Sequence, residues 1–319
     1  MKLNAINGAA GAIAQDPAMK NLVLAAMVQQ APLINLLEFY TFTGNADLIT
    51  PKTVGNTGGA FRALGTPFTP AAITPGSDVT VGLKIWGKNI TTDKAYDARG
   101  LMGGVDAFHT DAVLEYAEVL GRDLVDNIFN SDGSSNSYEG LKAQIAAGQI
   151  ESFNDALSAD GSAAAKKAFF AFKRLLDQTI LKVKGGCSAI VMPAALIALM
   201  ESVLMEFVRV DKIQNLVGED QTIRTYKNIP LLSPGYKADG VTDILTNDET
   251  TGGAASCSVY LLKFGQRKDV TIGTTPAGLY VSSSRNLNPI STDIEFQHEL
   301  KIVDAKAAFR IKDIIIEEA

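Results

Sequence analysis

Only two histidines, His109 and His298, occur in the 319 residues of this chain. His109 follows Asp106 by three positions, so on a helix both would face the same way. Two such groups could begin a metal site, but no third ligand stands in register with them and the HExxH pattern is absent. His298 shares the apolar side of an alternating run with Ile294, Phe296, Leu300 and Ile302, where a structural imidazole with satisfied nitrogens is expected. Gly185-Gly186-Cys187-Ser188 has the outline of a nucleophile loop. No motif ties a histidine to it, and Cys187 opens an apolar run, so a core thiol is the reading. Cys257 sits in a similar apolar setting, and the pair lacks CxxC spacing. Gly55-Asn56-Thr57-Gly58-Gly59 is not followed by Lys-Ser/Thr or by an amphipathic helix, so it reads as a flexible bend and not as a phosphate cradle. There is no GxSxG elbow. Carboxylates are plentiful, yet spacing singles out no acid–base pair. The expectation is a protein that is not an enzyme and needs no cofactor or metal.

Composition narrows the remaining classes. The apolar fraction of 46% supports a substantial core. The formal charge is −6, which argues against a dedicated nucleic-acid binder. Residues 1–95 carry seven basic against five acidic side chains, so the excess of acid lies in the rest. Trp86 is flanked by Lys84 and Lys88 only, too little basic and aromatic interleaving for a base-stacking platform. Packing between loop and neighbour is its expected role. The N-terminus does not read as a signal peptide, since Asp16 and Lys20 interrupt any apolar stretch, and Leu22–Val28 is too short to span a bilayer. A soluble, cytosolically made protein is expected.

The elements follow from periodicity. Asn21–Gln30 reads as helix, interrupted by Pro32. Between Gly44 and Asp93 turn formers crowd around brief apolar patches such as Val79, Val81, Leu83 and Ile85. A two-stranded arm is marginal alone in water, so an ordered one needs cover from outside itself, and another copy of the chain is the economical source. From about Leu101 to Asn130, Val105, Phe108, Ala112, Tyr116, Leu120, Leu124 and Ile128 recur at helical spacing. A helix of that length spans on the order of 40 Å. Ala163–Val183 reads as a second long helix, Ser188–Met192 as a buried strand, and Ala194–Phe207 as a helix opened by Pro193. Short strands follow at Thr222–Tyr226 and Ile229–Leu232. Cys257, Val259 and Leu261 alternate with Ser256, Ser258 and Tyr260. Ile294–Ile302 has the cleanest two-residue period, and Phe309–Ile316 closes the chain in extended form.

This order of arm, long loop, long helix, mixed region and terminal strand resembles the major capsid proteins of tailed bacteriophages, whose fold encapsulins share. Ser137-Tyr138-Glu139-Gly140-Leu141 is similar to the short segment after the family's spine helix. Ala189-Ile190-Val191-Met192-Pro193 resembles its strand-to-helix step in the axial domain. Lys227-Asn228-Ile229-Pro230-Leu231-Leu232-Ser233-Pro234 resembles a further strand, with Asn228 where Gly is usual. Tyr260-Leu261-Leu262-Lys263-Phe264-Gly265 resembles the strand before a Gly-Asp turn, with Gln266 in place of Asp. The ending from His298 to Ile311 resembles the long final strand and tail, without the family's Pro.

The resemblance implies an α+β phage major-capsid fold. Its parts would be an N-terminal arm (1–43), an extended β-hairpin loop (44–95), a peripheral domain with the spine helix (96–164), an axial domain (165–289) and a return strand of the peripheral domain (290–319). It implies self-assembly through pentamers and hexamers into an icosahedral head, with DNA enclosed but not read. Scaffolding, portal and decoration proteins are the implied partners, with no membrane, and assembly is in the host bacterial cytoplasm before residence in the virion capsid. Because the chain begins almost directly with the arm, a separate scaffolding protein, or none, is expected. Arm and loop would lie on neighbours, making Phe39, Arg62, Lys84, Trp86 and Lys88 the expected intersubunit contacts. Some relatives crosslink a loop lysine to an asparagine, but Lys84 and Lys88 read here as solvated surface lysines. An encapsulin-like compartment holding an enzyme cargo is the alternative.

Overall fold

The computed structural model describes residues 17–54, 61–68, 73–95, 104–158, 160–203, 208–214, 220–245, 249–251, 254–285 and 289–317. The Gly-rich bend at 55–59, the part of the arm before Pro17, and the start and end of two expected helices (101–103 and 204–207) lie outside the described residues.

A first helix, Pro17–Gln30, opens on proline, whose missing N–H costs nothing there. It buries Val23, Leu24, Met27 and Val28 against the spine helix, Gly104–Asn130. This differs from the expectation that the whole arm leaves its own chain: from Pro17 onward the arm is part of the body. The reason is visible at Gly121 of the spine helix. A Cβ there would stand 2.6 Å from the Met27 carbonyl oxygen, so the two backbones touch where a side chain is missing. The buried stripe of the spine helix is accordingly Val113, Ala117, Leu120, Leu124, Val125, Ile128 and Phe129. Phe108 and Tyr116, expected inside, are exposed. Small residues, not the largest ones, mark the face where a second helix comes close.

After the first helix the chain runs through β1 (Phe39–Thr41) into the loop strands β2 (Ala46–Ile49), β3 (Lys52–Val54), β4 (Ile73–Pro75) and β5 (Val79–Gly82), then β6 (Lys84–Asp93) and the spine helix. Beyond it come β7 (Ile150–Ser158), the helix Ala163–Lys182, β8 (Ala189–Val191), the helix Ala194–Val203, β9 (Val208–Gln214), β10 (Asp220–Tyr226), β11 (Ile229–Leu232), β12 (Glu249–Thr251), β13 (Ala254–Leu262), β14 (Val270–Arg285), β15 (Pro289–Ile302) and β16 (Ala308–Glu317). β1, β14, β15 and β6 form a four-stranded sheet in that order. An eight-stranded sheet runs β7-β16-β13-β8-β11-β10-β9, with β12 beside β13.

These sheets cut across the expected domain boundaries. β14, assigned to the axial block, pairs with β15, while β7 and the terminal β16 belong to the large sheet. On one face of that sheet Phe169, Phe172, Leu176, Leu196 and Met200 pack over Cys257, Val259 and Leu261. On the other, Phe129 at the end of the spine helix meets Tyr260 edge-on at 5.2 Å. β13 is therefore buried on both faces, and its serines with it.

The segments that carried the family resemblance have local physical reasons. Gly140 passes so close to the end of the spine helix that a Cβ would stand 2.7 Å from the Phe129 carbonyl. Lys227 and Asn228, with φ of +51° and +64°, form the two-residue turn between β10 and β11. Asn tolerates the left-handed conformation, so it can stand where Gly is usual. Gln266 replaces Asp and donates from Nε2 to the Phe39 carbonyl at 3.0 Å, tying the start of β1 in place.

Candidate assembly surface

The two histidines and Cys187 each have identifiable partners in the fold. His109 is buried between the hydroxyls of Thr92 (2.8 Å) and Thr292 (2.9 Å), and burial lowers its pKa. His298 is buried, 3.1 Å from the Tyr138 hydroxyl through Nε2 and stacked on Phe296 with ring centres 4.6 Å apart. Burial pulls its pKa down to about 4. The Cys187 thiol donates toward the Ala189 and Leu262 carbonyls, and burial pushes it up to about 11. Both cysteines are free thiols. Among the described residues no cluster of three metal-ligating side chains occurs.

The geometry that stands out is the loop. β2 and β5 pair antiparallel from Ala46–Gly82 to Ile49–Val79, and β3 and β4 continue from Lys52–Pro75 to Val54–Ile73. Between the two ladders the Gly76 amide donates to the Pro51 carbonyl at 2.6 Å, and the Thr50 hydroxyl to Asp78 at 2.6 Å. The result is one long ribbon. Its root is clamped to the small sheet: Ile49 and Val81 are buried with Tyr40, the Gly82 amide donates to the Glu299 carboxylate, and Asp47 pairs with Arg267 at 3.3 Å. Burial, and then the adjacent Asp47 carboxylate, raise the pKa of the Tyr40 phenol. Gly273 leaves room for this root, since a Cβ there would come within 2.8 Å of Phe42 and Val81.

At the far end, residues 61–68 form a small turn. The Arg62 guanidinium donates to the Thr66 carbonyl at 3.0 Å and lies over the Phe68 ring at 5.1 Å. Phe61 and Leu64 are fully exposed and Phe68 is 62% exposed. The ribbon thus spends its own bonds on shape and presents three large apolar side chains to water at this turn.

The five expected contact residues are spread along this structure. Arg62 is at the tip and organises it. Lys88 is exposed on β6, opposite Ile294, and Lys84 is half-buried opposite His298. Trp86 is half-buried and donates from Nε1 to Asp123 of its own spine helix at 2.8 Å. Phe39 is 1% exposed and meets Phe296 edge-on, so its side chain belongs to its own core and not to an interface. Sequence reasoning passed over Phe61, Leu64 and Phe68. Their signal was three large apolar residues inside a segment that could build no core.

No family profile matches the chain, and no curated protein is significantly similar to it. Solved structures are. The holo-SrpI encapsulin complex of Synechococcus elongatus superposes with a TM-score of 0.60 at 14% identity, covering 89% of this chain and 87% of the other. The capsid of the native GTA particle gives 0.53 at 14% identity over 90% and 89%. The capsid of Myoviridae phage XM1 gives 0.53 at 13% identity over 88% and 90%. This is the fold shared by phage major capsid proteins and encapsulins. Both kinds of shell protein are matched over 87–90% of their own length and 88–90% of this chain.

Proposed function

We propose that the chain is the structural subunit of an icosahedral phage head, closing through pentamers and hexamers around double-stranded DNA that it encloses without reading. The observation that carries this is the ribbon tip, where Phe61, Leu64 and Phe68 lie uncovered on a clamped stem. A heterologous contact, in which tip and receiving surface differ, propagates from copy to copy and closes into rings. Many modest contacts per subunit then add through multivalency. Arg62, Lys88 and the outer parts of Lys84 and Trp86 are the interface residues in this reading. Scaffolding, portal and decoration proteins are its further partners, and the bacterial cytoplasm is where the head is put together.

A second reading, a compartment holding an enzyme cargo, is favoured by one observation: the superposition on the encapsulin complex is tighter than on the two capsids, 0.60 against 0.53. The contents of particles purified from cells producing the complete phage or operon separate the two. Double-stranded DNA inside supports the head. A defined protein inside, with no DNA, supports the compartment.

A further inference from the structure

Two long helices of this chain carry opposite charge, and each shows its charge beside exposed aromatic rings. On Ala163–Lys182 the ionisable residues are Lys166, Lys167, Lys173, Arg174 and Lys182 against Asp177 alone. Asp177 is engaged by Lys173, Lys227 and Tyr226, and Lys182 pairs with Glu151. Lys166, Lys167 and Arg174 remain on the solvent side. They surround Phe170, which is 62% exposed while Phe169 and Phe172 are buried. Positions 166, 170 and 174 are four apart and make one stripe.

The spine helix is the counterpart. Its acids Asp106, Asp111, Glu115, Glu118, Asp123 and Asp126 face a single base, Arg122. Glu118 accepts from Gln30, Asp123 from Trp86, and Asp126 from Asn130, and Asp106 is engaged as well. Asp111 and Glu115 are exposed, between Phe108 at 41% and Tyr116 at 45% exposure. Spacings of three and four place residues 108, 111 and 115 on one stripe.

In a lone subunit each stripe sets like charges side by side, four residues apart at Asp111 and Glu115, and leaves aromatic surface in water. Within one chain the helices pack elsewhere, one on the large sheet and the other on the first helix and β6. Contact between copies would relieve both. Carboxylates would meet ammonium and guanidinium groups, and Arg174 could lie over the Tyr116 ring.

We propose that the Lys166, Lys167, Phe170 and Arg174 stripe of one subunit docks on the Asp111, Glu115 and Tyr116 surface of a neighbouring copy. The inference rests on the shell reading above and adds a second, charge-matched contact to the one made by the ribbon tip. The charges set partner orientation and encounter rate more than raw affinity.

The test compares full-length parent with K166E/K167E/R174E, with D111K/E115K, and with all five substitutions combined. Assembly threshold is read by sedimentation and electron microscopy, and folding by circular dichroism and melting. Each single-face variant should raise the threshold about tenfold, since a small loss per contact is multiplied over the shell. The combined variant, with the charges exchanged, should return to the parental threshold. If a reversal disturbs folding, K166A/K167A/R174A and D111N/E115Q replace it, with an expected rise of about threefold. Single-face variants that assemble at the parental threshold overturn the proposal, as does a combined variant no better than its parts. Shells that form normally but lose co-purified nucleic acid in K166E/K167E/R174E assign the cations to a polyanion and also overturn it. A parent that forms no assembly removes the shell reading and this contact together, whereas parental shells indifferent to every variant remove only this contact.

Discussion

Gly121→Ala tests how the arm is held. The new Cβ would stand 2.6 Å from the Met27 carbonyl oxygen and 2.8 Å from its Cα. Both are backbone atoms, so no rotamer change relieves the overlap, and the first helix must back away from the spine helix by roughly 1 Å to restore ordinary contact. Overpacking of this kind costs about 1–3 kcal/mol. Against it, exchanging Gly for Ala in a helix interior gains about 1 kcal/mol. Because backbone atoms and not a side-chain end must move, the upper part of that range, about 2–3 kcal/mol, applies, so the net expectation is a loss of about 1–2 kcal/mol, or a fall of about 1.5–3 °C in melting temperature for a chain of this size. Thermal unfolding of unassembled protein reads it. Gly148→Ala, where nothing lies within 4 Å of the added atom, is the unhindered control and should leave the midpoint unchanged or slightly raised. A Gly121→Ala protein that melts at or above the parent would show the propensity gain unopposed and would refute the close crossing of the two helices.

Other outcomes follow from the same structure. His298 is neutral when folded, with its pKa at about 4. Unfolded chains bind its proton from about pH 6.5 downward, so stability should fall by about 3 kcal/mol as pH drops from 7 toward 4. His109 adds in the same direction. His298→Gln should flatten that slope in denaturant titrations at a series of pH values, and an unchanged slope counts against the assignment. Replacing Phe61, Leu64 and Phe68 together by Ser should leave the melting temperature within about 1 °C, since the side chains are exposed, yet abolish assembly; unimpaired assembly would remove the tip from the interface. Cys187, with its thiol raised to about 11, should resist thiol reagents at neutral pH until the protein unfolds. A denaturing gel of assembled particles should show a single monomer band, because Lys84 and Lys88 read as ordinary lysines; a ladder would establish crosslinking.

Much of the fold was legible because periodicity reports burial directly. The alternation from Ile294 to Leu300 matched the buried side of β15, and Phe169, Phe172 and Leu176 marked the inner face of their helix. Legibility failed where tertiary contact overrides local pattern. β14 runs through Pro276 and Gly278, which argue against a strand in sequence. The structure accommodates them with a register shift between Thr274 and Leu279, Gly278 at φ +61°. The buried Lys20 then donates to the Ala277 carbonyl at 3.3 Å, and burial lowers its pKa. No local rule links residue 20 to residue 277. The arm was misjudged for the same reason: Gly121 looks like a weak helix residue, and Ala117 too small to mark a packed face, until a second helix is laid on them. As for the candidate surface, a segment without a core pointed to the loop, but only the structure separates its clamped root from its bare tip.

The central claim is that the ribbon of one copy is completed by the next. A high-resolution reconstruction of particles assembled from this protein tests it most directly. Closed shells are expected, in which residues 61–68 of each subunit lie against a neighbour, with Phe61, Leu64 and Phe68 covered there. Protein that stays monomeric under all assembly conditions, or shells in which that turn faces solvent or its own chain, would contradict it.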